Sequence, residues 1–279
     1  MPGDQRGDDE KSLCFDSDIL SGALDIVGAP VVRMRLSCDK PVGQTAARLC
    51  DVGADGASSR VTYGVLNLCH RSSHDAPELL EPGREYGITV QLDDIACRVP
   101  ARHRLRLALS SAYWPLIWPS PDNASLALVS GRLELPVWNG AELIGAPFDA
   151  PEVAAPWEVE EVRAPSHLRE TSADLQSGET VLNIEDDFGV LRDMVHGLET
   201  GSVARETWSI HPDSPLSAQG DIHWTQTLAR GGWSVRTEAY ASMRSDAANF
   251  YLDGRLEAHE GEQLIFSRDF SERIARGFL

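Results

Sequence analysis

The chain has 279 residues, 42% of them hydrophobic, with 25 basic and 43 acidic side chains and a formal charge of -18. That apolar share is enough for the core of one large β domain or two ordinary ones. The acidic surplus excludes a nucleic-acid partner, because binding phosphates rests on Lys and Arg. The charge is uneven: residues 1–140 hold 14 basic and 18 acidic side chains, whereas residues 141–279 hold 11 and 25. The surplus of the second half reads as solvated sheet faces.

No apolar run approaches the roughly 20 residues that span a membrane, and Met1–Lys11 is polar with no signal-peptide core, so the expected location is the cytoplasm, with no membrane partner. Residues 1–11 read as a polar, disordered lead-in. Cys14, Cys38, Cys50, Cys69 and Cys97 are odd in number and contain no Cys-x-x-Cys pair. They read as reduced thiols that act as small hydrophobes. No metal and no cofactor is expected.

From Ser12 onward short apolar alternations separated by Gly and Pro predict strands, and no helix of several turns stands out. Leu13, Phe15, Ile19, Leu20, Leu24 and Ile26 lead to the turn signal Gly28-Ala29-Pro30. Strands are predicted around Val32–Leu36, Ala46–Val52, Val61–Leu68, Tyr86–Leu92, Leu105–Leu109, Leu126–Val129 and Leu133–Val137. Asp55-Gly56 marks a tight turn, and Asp93–Arg102 reads as a loop. Seven or eight strands with long connections suggest a two-sheet jelly roll over residues 12–138. Residues 139–178, with Pro147, Pro151, Pro156 and Pro165, read as a linker. Long strands from Val181 to Phe270, with Gly231-Gly232 at a hairpin, predict a consecutive antiparallel sheet over 179–279. Ser271–Arg276 reads as a short helix.

Catalytic motifs are near misses. Gly56-Ala57-Ser58-Ser59-Arg60 and Gly232-Trp233-Ser234-Val235-Arg236 each lack the last glycine of a nucleophile elbow. A trio of His103, Ser110 or Ser111, and Asp122 is assembled from common residue types and reads as ordinary polar groups. His70 and His74 are separated by Arg-Ser-Ser and followed by Pro77, a poor helical pair for a metal. Asn123-Ala124-Ser125 matches a glycosylation sequon but reads as chance. No catalytic residue is predicted.

What stands out is the stretch after Leu109. Pro115, Pro119 and Pro121 stiffen a loop that carries Tyr113, Trp114, Ile117 and Trp118. Either the rings are sealed in a self-packed corner, or they face a partner or a pocket. Tyr113, Trp114, Trp118 and Asn123 are the candidate partner-facing or pocket-facing residues, because exposed Trp and Tyr dominate interface energetics.

Several segments occur together in a familiar order: Leu24-Asp25-Ile26-Val27-Gly28-Ala29-Pro30, Val32-Arg33-Met34-Arg35-Leu36-Ser37, Ala47-Arg48-Leu49-Cys50-Asp51-Val52 with Asp55-Gly56, and Gly64-Val65-Leu66-Asn67-Leu68. Pro82-Gly83, His103-Arg104-Leu105-Arg106-Leu107 and Ser110-Ser111 continue them. The set resembles the C-terminal non-catalytic domain of CocE/NonD-type serine hydrolases, the X-Pro dipeptidyl-peptidase C-terminal-like domain. The likeness covers about residues 12–138. Residues 139–279 are similar to a β-rich extension of longer members, mainly through Phe266-Ser267-Arg268-Asp269-Phe270. Arg102 stands where a glycine is usual.

The resemblance implies an all-β chain: a galactose-binding-like jelly-roll β-sandwich followed by a second antiparallel β domain. It implies packing on an α/β-hydrolase catalytic domain, in cis or in trans, and a role in walling the substrate pocket of a dipeptidyl-peptidase or acyl esterase. The Ser, Asp and His of such enzymes lie upstream of this domain, so none is carried over. A free-standing carbohydrate-binding module is the alternative, and a homo-oligomer that covers sheet edges of the acidic half is a further reading.

Overall fold

The computed structural model describes residues 3–140 and 149–279. The first two residues of the expected lead-in, and residues 141–148 of the expected linker with Pro147, lie outside the described residues. The chain divides into two compact units, Met1–Ala146 with Phe278–Leu279, and Pro147–Gly277.

In the first unit a one-turn helix, α1 (Arg6–Asp9), precedes nine strands. These are β1 (Leu13–Asp16), β2 (Leu24–Gly28), β3 (Val31–Cys38), β4 (Gln44–Val52), β5 (Ser58–Asn67), β6 (Glu85–Gln91), β7 (Ile95–Val99), β8 (Arg104–Ser110) and β9 (Leu126–Glu134). They form antiparallel sheets ordered β1-β8-β4-β5 and β6-β3-β9, with a β2-β7 ribbon. Strand β3 shows why the sheets pair off. Val32, Met34 and Leu36 are buried while Arg33 and Arg35 are exposed, the period-two pattern of a strand with one wet face. Those residues meet Ala47 and Leu49 of β4, Ile88 and Val90 of β6 and Leu105 of β8 in a single sandwich core.

Three sequence expectations change here. Residues 3–11 are not a disordered lead-in, since Gln5 and Asp9 are buried and Asp4 bridges to Ser59. Ile95–Val99, expected within a loop, is β7, paired along its length with β2. Leu126–Val129 and Leu133–Val137 are not two strands, because β9 runs unbroken through Gly131 beside Met34. The Asp55-Gly56 turn is present, with Gly56 at φ +81°, where a side chain would be strained.

The second unit consists of β10 (Val159–Arg163), β11 (Ser166–Ala173), β12 (Thr180–Asp193), β13 (Glu199–His211), β14 (Ser214–Arg230), β15 (Trp233–Ser245), β16 (Asn249–Glu260) and β17 (Gln263–Ala275). From β12 to β17 each strand pairs antiparallel with the next in one sheet. The expected linker therefore contains two strands, both paired to β12 and interrupted at Pro165. At that corner Gly189 approaches so closely that a Cβ would lie 2.5 Å from the Arg163 carbonyl oxygen. The expected helix over Ser271–Arg276 is instead the end of β17, held by register pairs from Ser271–Asp253 to Ala275–Asn249.

Registry assigns the two faces of this sheet. Leu191, Thr200, Leu228 and Val235 stand in one cross-strand row, and Ala204, Trp224, Ala239 and Leu256 in another. That face is largely apolar. The opposite face carries His223 against Glu238 at 2.7 Å and Arg255 against Asp269 at 2.7 Å.

Candidate functional site

Strand β4 sets the site. Its inner residues Ala47 and Leu49 join the sandwich core, yet Ala46, Arg48 and Cys50 on its outer face are also buried. Arg48 is 1% exposed and needs compensation, because an unpaired buried charge is costly. It receives it from the N-terminal segment. Arg48 donates to Gln5 Oε1 at 3.0 Å and to Ser12 Oγ at 2.9 Å, and lies 3.1 Å from Asp9 Oδ1. Asp9 Oδ2 accepts from Ser58 Oγ at 2.7 Å and from Arg106 at 3.2 Å. Arg106 in turn grips both oxygens of Asp16, at 2.6 and 2.8 Å, which holds that carboxyl below the usual range. Beside this network burial pushes the Cys50 thiol up to about 11.

The aromatic loop rests on this platform. Arg60 donates to the Tyr113 hydroxyl, and the Tyr113 ring meets Tyr63 edge-on at 5.7 Å. Burial raises the Tyr113 pKa, with the Arg60 hydrogen bond opposing it. The Arg48 guanidinium carbon is 5.7 Å from the Tyr113 ring, and that of Arg60 is 4.6 Å from Tyr63, distances at which cation–π attraction acts. The Ile117 amide donates to the Tyr113 carbonyl at 3.0 Å, closing a turn that brings Trp114 and Trp118 together edge-to-face at 5.2 Å. Leu116 projects from the turn, 52% exposed. The far end is tied down where the Ser125 amide donates to Asp39 Oδ1 at 2.7 Å.

Of the predicted residues, Tyr113, Trp114 and Trp118 are brought together, half-buried, and none belongs to the sandwich core cluster. Asn123 is exposed at the loop's exit. The residues missed from sequence are those beneath the loop: Arg48, Arg60, Tyr63 and Asp9. A signal existed in Ala46-Ala47-Arg48-Leu49-Cys50, where one charge interrupts small apolar residues of a strand.

His103 does not face Asp122; its Nδ1 is 2.7 Å from Asp51 Oδ1. Ser110, at the opposite end of β8, is about 23 Å along the strand from His103 at about 3.3 Å per residue, and it donates to the Ala112 carbonyl. His70 and His74 do approach, with ring centroids 5.4 Å apart. Among the described residues no group of three or more His, Cys, Asp or Glu stands close enough to hold a metal. No helix among them is long and apolar enough to cross a membrane. Between the sandwich sheets lies a cleft of about 320 Å³ lined mainly by apolar side chains, among them Phe15, Leu105, Leu107, Leu128 and Leu133. It offers a sugar few hydrogen-bonding partners.

Residues 3–147 match the X-Pro dipeptidyl-peptidase C-terminal non-catalytic domain. The chain belongs to that family. Cocaine esterase from Rhodococcus sp. (strain MB1 Bresler) is 25% identical over 116 residues, 41% of this chain and 20% of that protein. Among solved structures, an alpha-amino acid ester hydrolase is 22% identical with a TM-score of 0.46, over 49% of this chain and 27% of that one. An aminopeptidase from a marine sediment archaeon, Thaumarchaeota archaeon, is 16% identical with a TM-score of 0.47, over 49% of this chain and 28% of that one. The chain thus spans between a fifth and about a quarter of the proteins it matches. The X-Pro dipeptidyl-peptidase C-terminal domain accounts for the first unit, aromatic loop included; the sheet of the second unit lies beyond the matched residues.

Proposed function

We propose that residues 12–138 act as the accessory region of a CocE/NonD-type serine hydrolase, of the X-Pro dipeptidyl-peptidase or acyl-esterase class. Tyr113, Trp114, Trp118 and Asn123 face an α/β-hydrolase domain, in cis or in trans, and wall its substrate pocket. One observation carries the reading: the Tyr113 ring packs over Arg48 and Arg60 on the outer face of a sheet, and Trp114 and Trp118 pair with each other outside the sandwich core. A loop clamped at its base, with Leu116 at its tip, offers a partner a contact whose ordering cost is already met. The reading includes a galactose-binding-like jelly roll for this unit and a β-rich extension after it. Five free cysteines support a reducing, cytoplasmic setting.

The test uses the chain with a hydrolase domain encoded in frame or in an adjacent reading frame. A fluorophosphonate probe labels the hydrolase serine and leaves this chain unlabelled, and Leu116→Asp weakens association and raises KM. Stoichiometric labelling of a serine here would overturn the accessory role. Saturable glycan binding lost on Trp114→Ala, without hydrolase association, would replace it with a carbohydrate-binding module.

A further inference from the structure

Strand β17 ends the second sheet. Among the described residues it pairs only with β16, and all 13 of its residues are exposed. The other border is shielded differently, since β10 and β11 are short and broken at Pro165, where no ladder hydrogen bond can be donated. A long edge with Leu264, Ile265, Phe266, Phe270 and Ile274 each 44–55% exposed is a template for strand pairing.

We propose that β17 is a homodimer interface: two copies pair antiparallel about a two-fold axis at Phe270, making one continuous sheet. Registry places Phe266, Arg268, Phe270, Glu272 and Ile274 on the same face, opposite Ala258, Leu256, Gly254, Leu252 and Phe250. Centring the axis on Phe270 sets Phe270 against its own copy, Arg268 against Glu272 twice and Phe266 against Ile274 twice. Every directly opposed pair on that face is then aromatic, apolar or of opposite charge. Neighbouring registers fail. An axis at Asp269 opposes that carboxylate with itself, and one at Arg268 does the same for the guanidinium. An axis at Ser271 puts Phe270 against Glu272 and Arg268 against Ile274. Axes between residues set the apolar face of one copy level with the polar face of the other.

The unused charges fit this arrangement. On the opposite face Asp269 is held by Arg255 at 2.7 Å, and Arg273 donates to Asn249 at 3.0 Å. Among the described residues neither Arg268 nor Glu272 joins an ion pair; Arg268 lies over the Phe270 ring at 4.8 Å. Charges on an edge strand also serve to repel neighbours. What separates the two roles is that these charges are self-complementary about one axis. A two-fold contact of this kind closes at two copies.

Sedimentation of the full chain over a concentration series tests the proposal. The wild type sediments as a dimer. Glu272→Arg sets arginine against arginine and Arg268→Glu sets glutamate against glutamate, so each raises the dimer Kd at least about tenfold. The double variant Arg268→Glu/Glu272→Arg returns to the wild-type dimer, and an equimolar mixture of the two single variants forms a heterodimer, which also shows that both are folded. A chain that stays monomeric, single variants that leave the dimer unchanged, single variants that the double exchange does not restore, or assemblies that grow beyond two copies would each overturn it.

Discussion

The guanidinium of Arg48 lies 3.1 Å from the carboxylate of Asp9, on side chains 1% and 4% exposed. One is central in a sheet and the other sits in a single helical turn near the start of the chain. The pair fastens the N-terminal segment to the outer face of β4, where Arg48 also reaches the Tyr113 ring.

Removing one partner weakens the hold on the other. Arg48→Ala should cost about 3 kcal/mol in urea unfolding, because buried Asp9 loses one of its two guanidinium partners and keeps only Arg106 and Ser58. Replacing both, with Arg48→Met and Asp9→Leu, should recover much of that loss.

Arg102 adopts φ +70°, the left-handed region, alone among the described non-glycine residues. Its amide donates to the Leu20 carbonyl at 2.8 Å, so the conformation is fixed by the turn. A left-handed residue with a Cβ costs about 1–2 kcal/mol, partly offset by the greater unfolded-state freedom of glycine. Arg102→Gly should therefore raise stability by about 0.5–1 kcal/mol, read as a higher urea midpoint at unchanged slope.

Trp118 is half-buried against Trp114 and outside the main core. Trp118→Ala should cost about 1 kcal/mol, the scale of an aromatic pair. A loss of about 3–5 kcal/mol, as for a sealed aromatic residue, would show the ring to be core.

Asp246 accepts hydrogen bonds from the Tyr251 hydroxyl and from the Ala248 and Asn249 amides, all at 2.7 Å, which together bring its pKa down to about 2. A depressed carboxyl contributes stability that is fully present above its unfolded pKa of about 3.9 and is lost as pH falls through 2. The turn between β15 and β16 should therefore loosen between about pH 4 and 2. Asp246→Asn should remove that part of the acid dependence, followed by amide exchange at Ala248 and Asn249.

Much of this fold was legible because burial writes itself into period two. Val32, Met34 and Leu36, or Ile88 and Val90, alternate because one face meets a core. Strands β10 and β11 were illegible for the complementary reason: every residue is exposed, and what makes them strands is the backbone of β12. The end of β17 misled in the same way, since Ser271-Glu272-Arg273-Ile274 carries no one-sided pattern while it pairs with β16. At the site, prolines and rings announced the loop from Tyr113 to Trp118. Its base was hidden because Arg48 depends on Asp9, Ser12 and Gln5, partners that only folding brings near.

The corner at Pro165 and Gly189 bears on how the protein behaves when crowded. An incoming chain that tried to extend the sheet past β11 would meet a kink after eight residues, with a proline where a donor is needed. Polymerisation by repeated addition is denied on that side, so concentrated solutions should remain clear and free of fibrils.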